Sequence, residues 1–236
     1  MFKGGMSDSL SKIVNNDPES DAKDVPRSIR NQPVVENKQN VPQKVIWRRD
    51  VLGNYEHNAV HSGNGPGEGG KAVSMDLGSE TVRKANAEFG FNTAASDLIA
   101  MNRSIPDTRP DDCKYYDYPE TLPSTSVVIV FHNEGWSPLL RTVHSVLNRS
   151  PPQHLKEVLL VDDKSTKDHL GEKLETYIKQ FSGKVRLVRN AKREGLIRSR
   201  SIGAEEAYGD VVIFLDAHCE ANVNWLPPLI APIAAN

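Results

Sequence analysis

The sequence has 236 residues, with 29 Lys plus Arg against 31 Asp plus Glu and a formal charge of −2. So even a balance excludes a protein built mainly to coat nucleic acid or an anionic membrane. Two cysteines exclude a disulfide-dense scaffold and a four-cysteine zinc cluster. No run approaches the ~18 apolar residues of a membrane span and the N-terminus does not open into a signal-peptide core, so the chain reads as soluble.

Residues 1–70 are rich in Asn, Asp, Lys, Pro and Gly and hold only three of the fifteen aromatic residues, Phe2, Trp47 and Tyr55. Such a stretch buries too little apolar surface to offset its ordering entropy, and it reads as a disordered stem. At its end, Gly63-Asn-Gly-Pro-Gly-Glu-Gly-Gly70 has glycines but neither the preceding strand nor the following helix that a phosphate loop needs, so it reads as a linker. Residues 71–125 read as an extended lead-in.

From residue 126 the pattern changes. Ser126-Val-Val-Ile-Val-Phe131 has the continuous β-branched character of a strand buried on both faces. Leu139, Leu140, Val143, Val146 and Leu147 then share one helical face. Glu157–Val161 predicts a second strand, and Leu170, Leu174, Ile178 and Phe181 a second helix. Val185–Val188 predicts a third strand, 196–208 a helix, and Val211–Leu215 a fourth strand. Strands alternating with helices imply a parallel sheet with right-handed crossovers, a Rossmann-like α/β arrangement.

Parallel sheets bind ligands beyond the carboxyl ends of their strands. Polar clusters stand at each of those ends: His132-Asn133-Glu134, Asp162-Asp163, Asn190 to Gly195, and Asp216-Ala217-His218. Residues two apart in extended backbone can point to one side, so Asp216 and His218 can share a cation, and an oxygen with a nitrogen suits Mn²⁺. The same spacing serves a helix cap beside a packed histidine equally well. Asp162 and Asp163 divide between capping a turn and accepting hydrogen bonds from a nucleoside.

The run from Lys184 to Arg200 holds seven cations against Glu194 alone. It reads first as a solvated face and second as one or two cations meeting a diphosphate; it lacks the stacking aromatics of a nucleic-acid surface. No dinucleotide fingerprint, Walker loop or nucleophile elbow is present. His144 lies within an apolar helix and reads as packed, Cys219 as a small core residue, and Trp136 and Trp225 as core or interface rings.

The stretch from about Phe89 to Ile233 resembles the N-terminal half of the catalytic domain of polypeptide N-acetylgalactosaminyltransferases. The motifs that carry the resemblance begin with Phe91-Asn92, Ser96-Asp97, Arg103-Ser-Ile-Pro-Asp-Thr-Arg109, Cys113, Val130-Phe-His-Asn-Glu-Gly-Trp136 and Leu140-Arg-Thr-Val-His-Ser-Val146. Leu160-Val-Asp-Asp163, Arg193-Glu-Gly-Leu-Ile-Arg198 and Leu215-Asp-Ala-His-Cys-Glu-Ala-Asn-Val-Asn-Trp225 follow in order. Gly135-Trp136 and the segment from Ala221 to Pro228 are most similar to the branch that prefers glycopeptides.

The resemblance implies a truncated GT-A fold and transfer of N-acetylgalactosamine, with retention, from UDP-N-acetylgalactosamine to Ser/Thr hydroxyls of a peptide or glycopeptide. It implies Mn²⁺ on Asp216 and His218. It also implies that Val130 and His132 border the nucleotide, that Asp163 and Arg193 serve the same pocket, and that Ala217 lies beside the donor. Many relatives carry a hydroxyl residue at positions 130 and 217. Family domains further supply a third histidine ligand, a partner for Cys113, acceptor-binding residues and a membrane anchor that places them in the Golgi lumen. Since none of these features is in the sequence, it reads as a fragment without measurable transfer of its own. The alternative is a non-catalytic UDP-binding or partner-binding module.

Overall fold

The computed structural model describes residues 46–47 and 64–235. The predicted stem therefore lies largely outside the described residues. Two residues of it, β1 (Ile46–Trp47), pair antiparallel with β2 (Tyr116–Asp117).

Residues 64–70 form a docked turn. Glu68 accepts hydrogen bonds from the Ser104 N–H at 3.0 Å and the Ser104 hydroxyl at 2.6 Å. The Arg103 guanidinium donates to the Gly67 carbonyl at 3.2 Å. The lead-in is also less extended than its composition implies, because it contains α1 (Glu80–Phe89) and α2 (Thr93–Asp97). Ser79 caps the first through the Val82 N–H, Gly90 closes it at φ 79°, and Asn92 caps the second through the Ala95 N–H. Only Val82 and Ala85 of α1 are buried, so its apolar face is two residues wide.

The core is a four-stranded parallel sheet of β3 (Thr125–Phe131), β4 (Leu155–Asp162), β5 (Val185–Arg189) and β6 (Val211–Asp216), ordered β5-β4-β3-β6. β3 and β4 are central and bury both faces, which explains their unbroken apolar runs. One face carries Val127, Ile129, Phe131, Val158 and Leu160 against α3 (Trp136–Arg149) and α4 (Glu172–Ile178). Leu139, Leu140, Val143 and Val146 of α3 are fully buried there, each contributing roughly 1.5–3 kcal/mol relative to exposure. The other face, with Val128, Leu159 and Val161, takes α5 (Leu196–Glu205). Gly203 of α5 makes that packing close: a Cβ there would overlap Val128 Cγ1 and stand 3.1 Å from Val161 Cγ2.

The predicted second helix is instead α4 flanked by 3-10 turns at Asp168–Leu170 and Lys179–Phe181. A final helix, α6 (Pro227–Ala234), buries Ile230 and Ala231 against Leu122. Among the described residues no helix is long and apolar enough to cross a membrane.

Candidate functional site

The strand order places the crevice. β3, β4 and β5 step outward in sequence order, and the chain then returns to lay β6 on the opposite side of β3. That reversal between β3 and β6 is the switch point at which doubly wound sheets open for ligands. His132 stands on the loop leaving β3, Asp216 ends β6, and Ala217 and His218 stand on the loop that leaves it. Val130 and Asp216 are register partners across the two strands. Five of the seven predicted site residues, Val130, His132, Asp216, Ala217 and His218, thus stand at the carboxyl ends of two adjacent strands, and His132 contacts a sixth, Asp163, which pairs with the seventh, Arg193.

The β3 loop is tied to the loop after β4 by hydrogen bonds. Asn133 sits at φ 53°, a conformation that asparagine tolerates better than most residues. Its N–H donates to Ser165 Oγ at 2.9 Å, and its side-chain oxygen accepts from the Thr166 N–H at 2.7 Å. His132 Nδ1 donates to the Asp163 carbonyl at 2.9 Å, so Nδ1 carries the proton and Nε2 is left as an acceptor.

The two aspartates divide their work. Asp162 caps its own turn, accepting from the Ser165 N–H at 2.7 Å, and pairs with Arg189. Asp163 organises the segment after β5. Its side chain is 2% exposed and accepts from the Glu194 N–H at 2.7 Å, the Gly195 N–H at 3.0 Å and the Asn190 amide at 3.0 Å, with Arg193 as ion-pair partner. Burial alone would raise this carboxyl, but those donors outweigh it and hold it below the usual carboxylate range. With both oxygens engaged, Asp163 acts on the 190–195 turn, while the Arg193 side chain, 54% exposed, faces solvent.

The basic run is not a free patch. Arg186 pairs with Glu157, Arg189 with Asp162, Arg193 with Asp163, Arg198 with Glu194 and Arg200 with Asp216. Lys184 donates to the Leu155 carbonyl at the start of β4, at the end of the sheet away from the crevice.

Asp216 and His218 are both exposed. Asp216 Oδ1 accepts from Arg200 at 3.2 Å, and among the described residues Oδ2 has no such partner. His218 Nδ1 stands 3.1 Å from Glu134 Oε2, and its ring is 6.0 Å from that of Phe91. Among the described residues no three His, Cys, Asp or Glu side chains converge as a metal set. Two donors, one of them an imidazole held by a carboxylate, nevertheless fit a cation that takes its other ligands from a bound diphosphate.

Sequence reasoning placed Glu134 in a strand-end cluster and Arg200 in the basic run but gave neither its partner. Glu134 stands in the first strand-end cluster, but its partner lies 84 positions away. Ala217 is buried, and burial pushes the Cys219 thiol up, as for a packed cysteine rather than a nucleophile. His144 packs against Tyr177 and Phe181, as expected.

This is the architecture of the GT-A fold, and residues 126–236 match the model of the family described as Glycosyl transferase family 2. The chain is 59% identical over 194 residues to the probable N-acetylgalactosaminyltransferase 7 of Caenorhabditis elegans, covering 81% of the chain and 32% of that protein. It is 58% identical over 172 residues to the mouse polypeptide N-acetylgalactosaminyltransferase 10, covering 73% of the chain and 28% of that protein. The crystal structure of GalNAc-T7 with UDP, GalNAc and Mn²⁺ superposes with a TM-score of 0.80 at 48% identity, over 84% of this chain and 37% of that one. The chain spans about a third of the length of the curated relatives it matches.

Proposed function

We propose that the chain is the donor-binding half of a retaining transferase that moves N-acetylgalactosamine from UDP-N-acetylgalactosamine to Ser/Thr hydroxyls of a peptide or glycopeptide. The observation that carries this reading is the placement of Val130, His132, Asp216 and His218 at the carboxyl ends of the adjacent strands β3 and β6, where the strand order reverses. A solved GalNAc-T7 of the same fold, crystallised with UDP, GalNAc and Mn²⁺, supports it. The Golgi lumen is the compartment that goes with this activity.

In this reading Asp216 and His218 would hold Mn²⁺, which would supply Lewis-acid stabilisation of the charge on a departing diphosphate. Every other contribution comes from the chain's own groups. His132, its Nδ1 proton committed to the Asp163 carbonyl, presents Nε2 as an acceptor to the nucleoside. Asp163 holds the 190–195 turn in place, so that Arg193 reaches the nucleotide from a fixed base. Val130 and Ala217 offer no side-chain hydroxyl, so they shape the crevice by contact alone.

Calorimetric titration with UDP, with and without Mn²⁺, tests the reading. Asp216→Ala and His218→Ala lower Mn²⁺-dependent UDP affinity at least tenfold, whereas Asp112→Ala, at an exposed position in the lead-in, leaves it unchanged. Equal UDP affinity with and without Mn²⁺ in the unsubstituted chain refutes the metal assignment.

A further inference from the structure

Beside the pair assigned to the metal lies a carboxylate that the proposed chemistry does not use. Glu134 leaves β3 on the loop that leads into α3, and its side chain is 13% exposed against 56% for His218. Glu134 is thus the more buried of the two and is held by further contacts. Its backbone carbonyl accepts from His169 Nε2 at 2.8 Å, and its Oε1 accepts from the Gly135 N–H at 2.9 Å. The remaining oxygen, Oε2, faces His218 Nδ1 at 3.1 Å.

A carboxylate accepts and does not donate, so this contact requires the proton of a neutral His218 ring to sit on Nδ1. The lone pair is then on Nε2, the nitrogen pointing away from Glu134. A free imidazole divides between two tautomers and rotates, and an exposed one has little else to choose for it. Here Glu134 chooses on one side, and Phe91, with ring centroids 6.0 Å apart, stands on another. The same contact keeps Glu134 from joining His218 on one ion, because the two ring nitrogens diverge and Oε2 lies beyond Nδ1.

We propose that Glu134 is a positioning residue that sets the tautomer and orientation of His218, presenting Nε2 toward the cation shared with Asp216. Carboxylates in this relation to a ligating imidazole raise its basicity and fix its direction, and their loss lowers metal affinity 10–100-fold. The proposal rests on the reading of Asp216 and His218 as the metal pair. The competing role for Glu134 is local: with Oε1 on the Gly135 N–H, it stabilises the start of α3 and nothing more.

Two measurements on the full chain separate these roles. Long-range ¹H–¹⁵N correlation of the histidine rings, without metal and at a pH where they are neutral, reads the tautomer directly; His218→Ala assigns the signal. His218 protonated on Nδ1 in the unsubstituted chain is the expected result, and His218 protonated on Nε2 overturns the proposal whatever the variants do. Glu134→Ala then yields a tautomer mixture and weakens Mn²⁺ binding, read by electron paramagnetic resonance, 10–100-fold. Glu134→Gln, which keeps an oxygen acceptor, restores the Nδ1–H form and most of the affinity. If Glu134→Ala lowers thermal stability but leaves tautomer and Mn²⁺ affinity alone, Glu134 is only a turn-stabilising residue and the proposal fails. If His218→Ala itself leaves Mn²⁺ affinity unchanged, the metal assignment fails and the proposal with it. The tautomer readout still distinguishes that case from a failure of Glu134 to hold the ring.

Discussion

Gly203 is where helix, sheet and candidate site can be tested together. A methyl at this position would overlap Val128 Cγ1 and stand 3.1 Å from Val161 Cγ2. The first contact falls on the order of 1 Å short of the ~3.5–4.0 Å at which carbon atoms pack. Neither valine can yield easily, since both are fully buried in the two central strands. Gly203→Ala therefore lifts α5 from the sheet, at a cost of about 2–3 kcal/mol, the upper part of the overpacking range, because two fully buried neighbours are met at once. Alanine's better helix propensity returns roughly 1 kcal/mol, leaving a net loss of about 1–2 kcal/mol. Urea unfolding followed by circular dichroism reads this as a lower midpoint at unchanged slope. Val128→Ala makes the space that the new methyl needs, so the double variant is more stable than the two single costs predict, with a coupling of about 1–2 kcal/mol. The shift also reaches the crevice. Ser199, one turn before Gly203, accepts from Asn190 at 2.9 Å, and Asn190 donates in turn to Asp163, so the Glu194 and Gly195 amide resonances move. A Gly203→Ala chain as stable as the parent, or a coupling below about 0.3 kcal/mol, refutes the close-packing argument.

Arg200→Ala removes a cation from Asp216, and Mn²⁺ without nucleotide binds about two- to fivefold tighter by electron paramagnetic resonance, a difference that added salt shrinks because the pair is exposed. Glu220 holds Arg103 Nε at 2.9 Å and Arg141 Nε at 3.3 Å in a largely buried cluster; Glu220→Ala leaves both guanidinium groups short of an anion and costs about 2–3 kcal/mol in urea unfolding. Burial lowers the folded-state pKa of both His144 and His154. Their contribution to stability is complete above the unfolded value near ~6.5 and declines as pH falls through the folded value. Unfolding midpoints measured from pH 7.5 to 5 show this slope, and His144→Phe flattens it.

What could be read in the sequence follows how locally each feature is determined. β3 and β4 announce themselves because burial on both faces demands unbroken apolar runs, and α3 because its stripe recurs over nearly four turns. α1 escaped because burying only Val82 and Ala85 leaves almost no period to see, although Ser79 and Gly90 marked its two ends. The glycine-rich segment reads as linker by composition, yet Glu68 ties it to Ser104, 36 positions away. The candidate site divides along the same line. Residues at strand ends are visible because the sheet gathers them, whereas Glu134 with His218 and Arg200 with Asp216 are side-chain meetings that no periodicity encodes. Two adjacent aspartates look alike in sequence and differ only in which donors surround them.

The register of β3 with β6 sets a ruler. Val130 faces Asp216 one interstrand step away, about 4.8 Å, and main-chain hydrogen bonds, not a loop, keep that spacing. Chain length is therefore constrained unevenly around the crevice. An extra residue in the exposed turn at 182–183, at the other end of the sheet, is absorbed at the surface. One inside 125–131 or 211–216 turns every later side chain of that strand to the opposite face, and Asp216 leaves the crevice with it. Insertions and deletions are tolerated only where the ruler does not run.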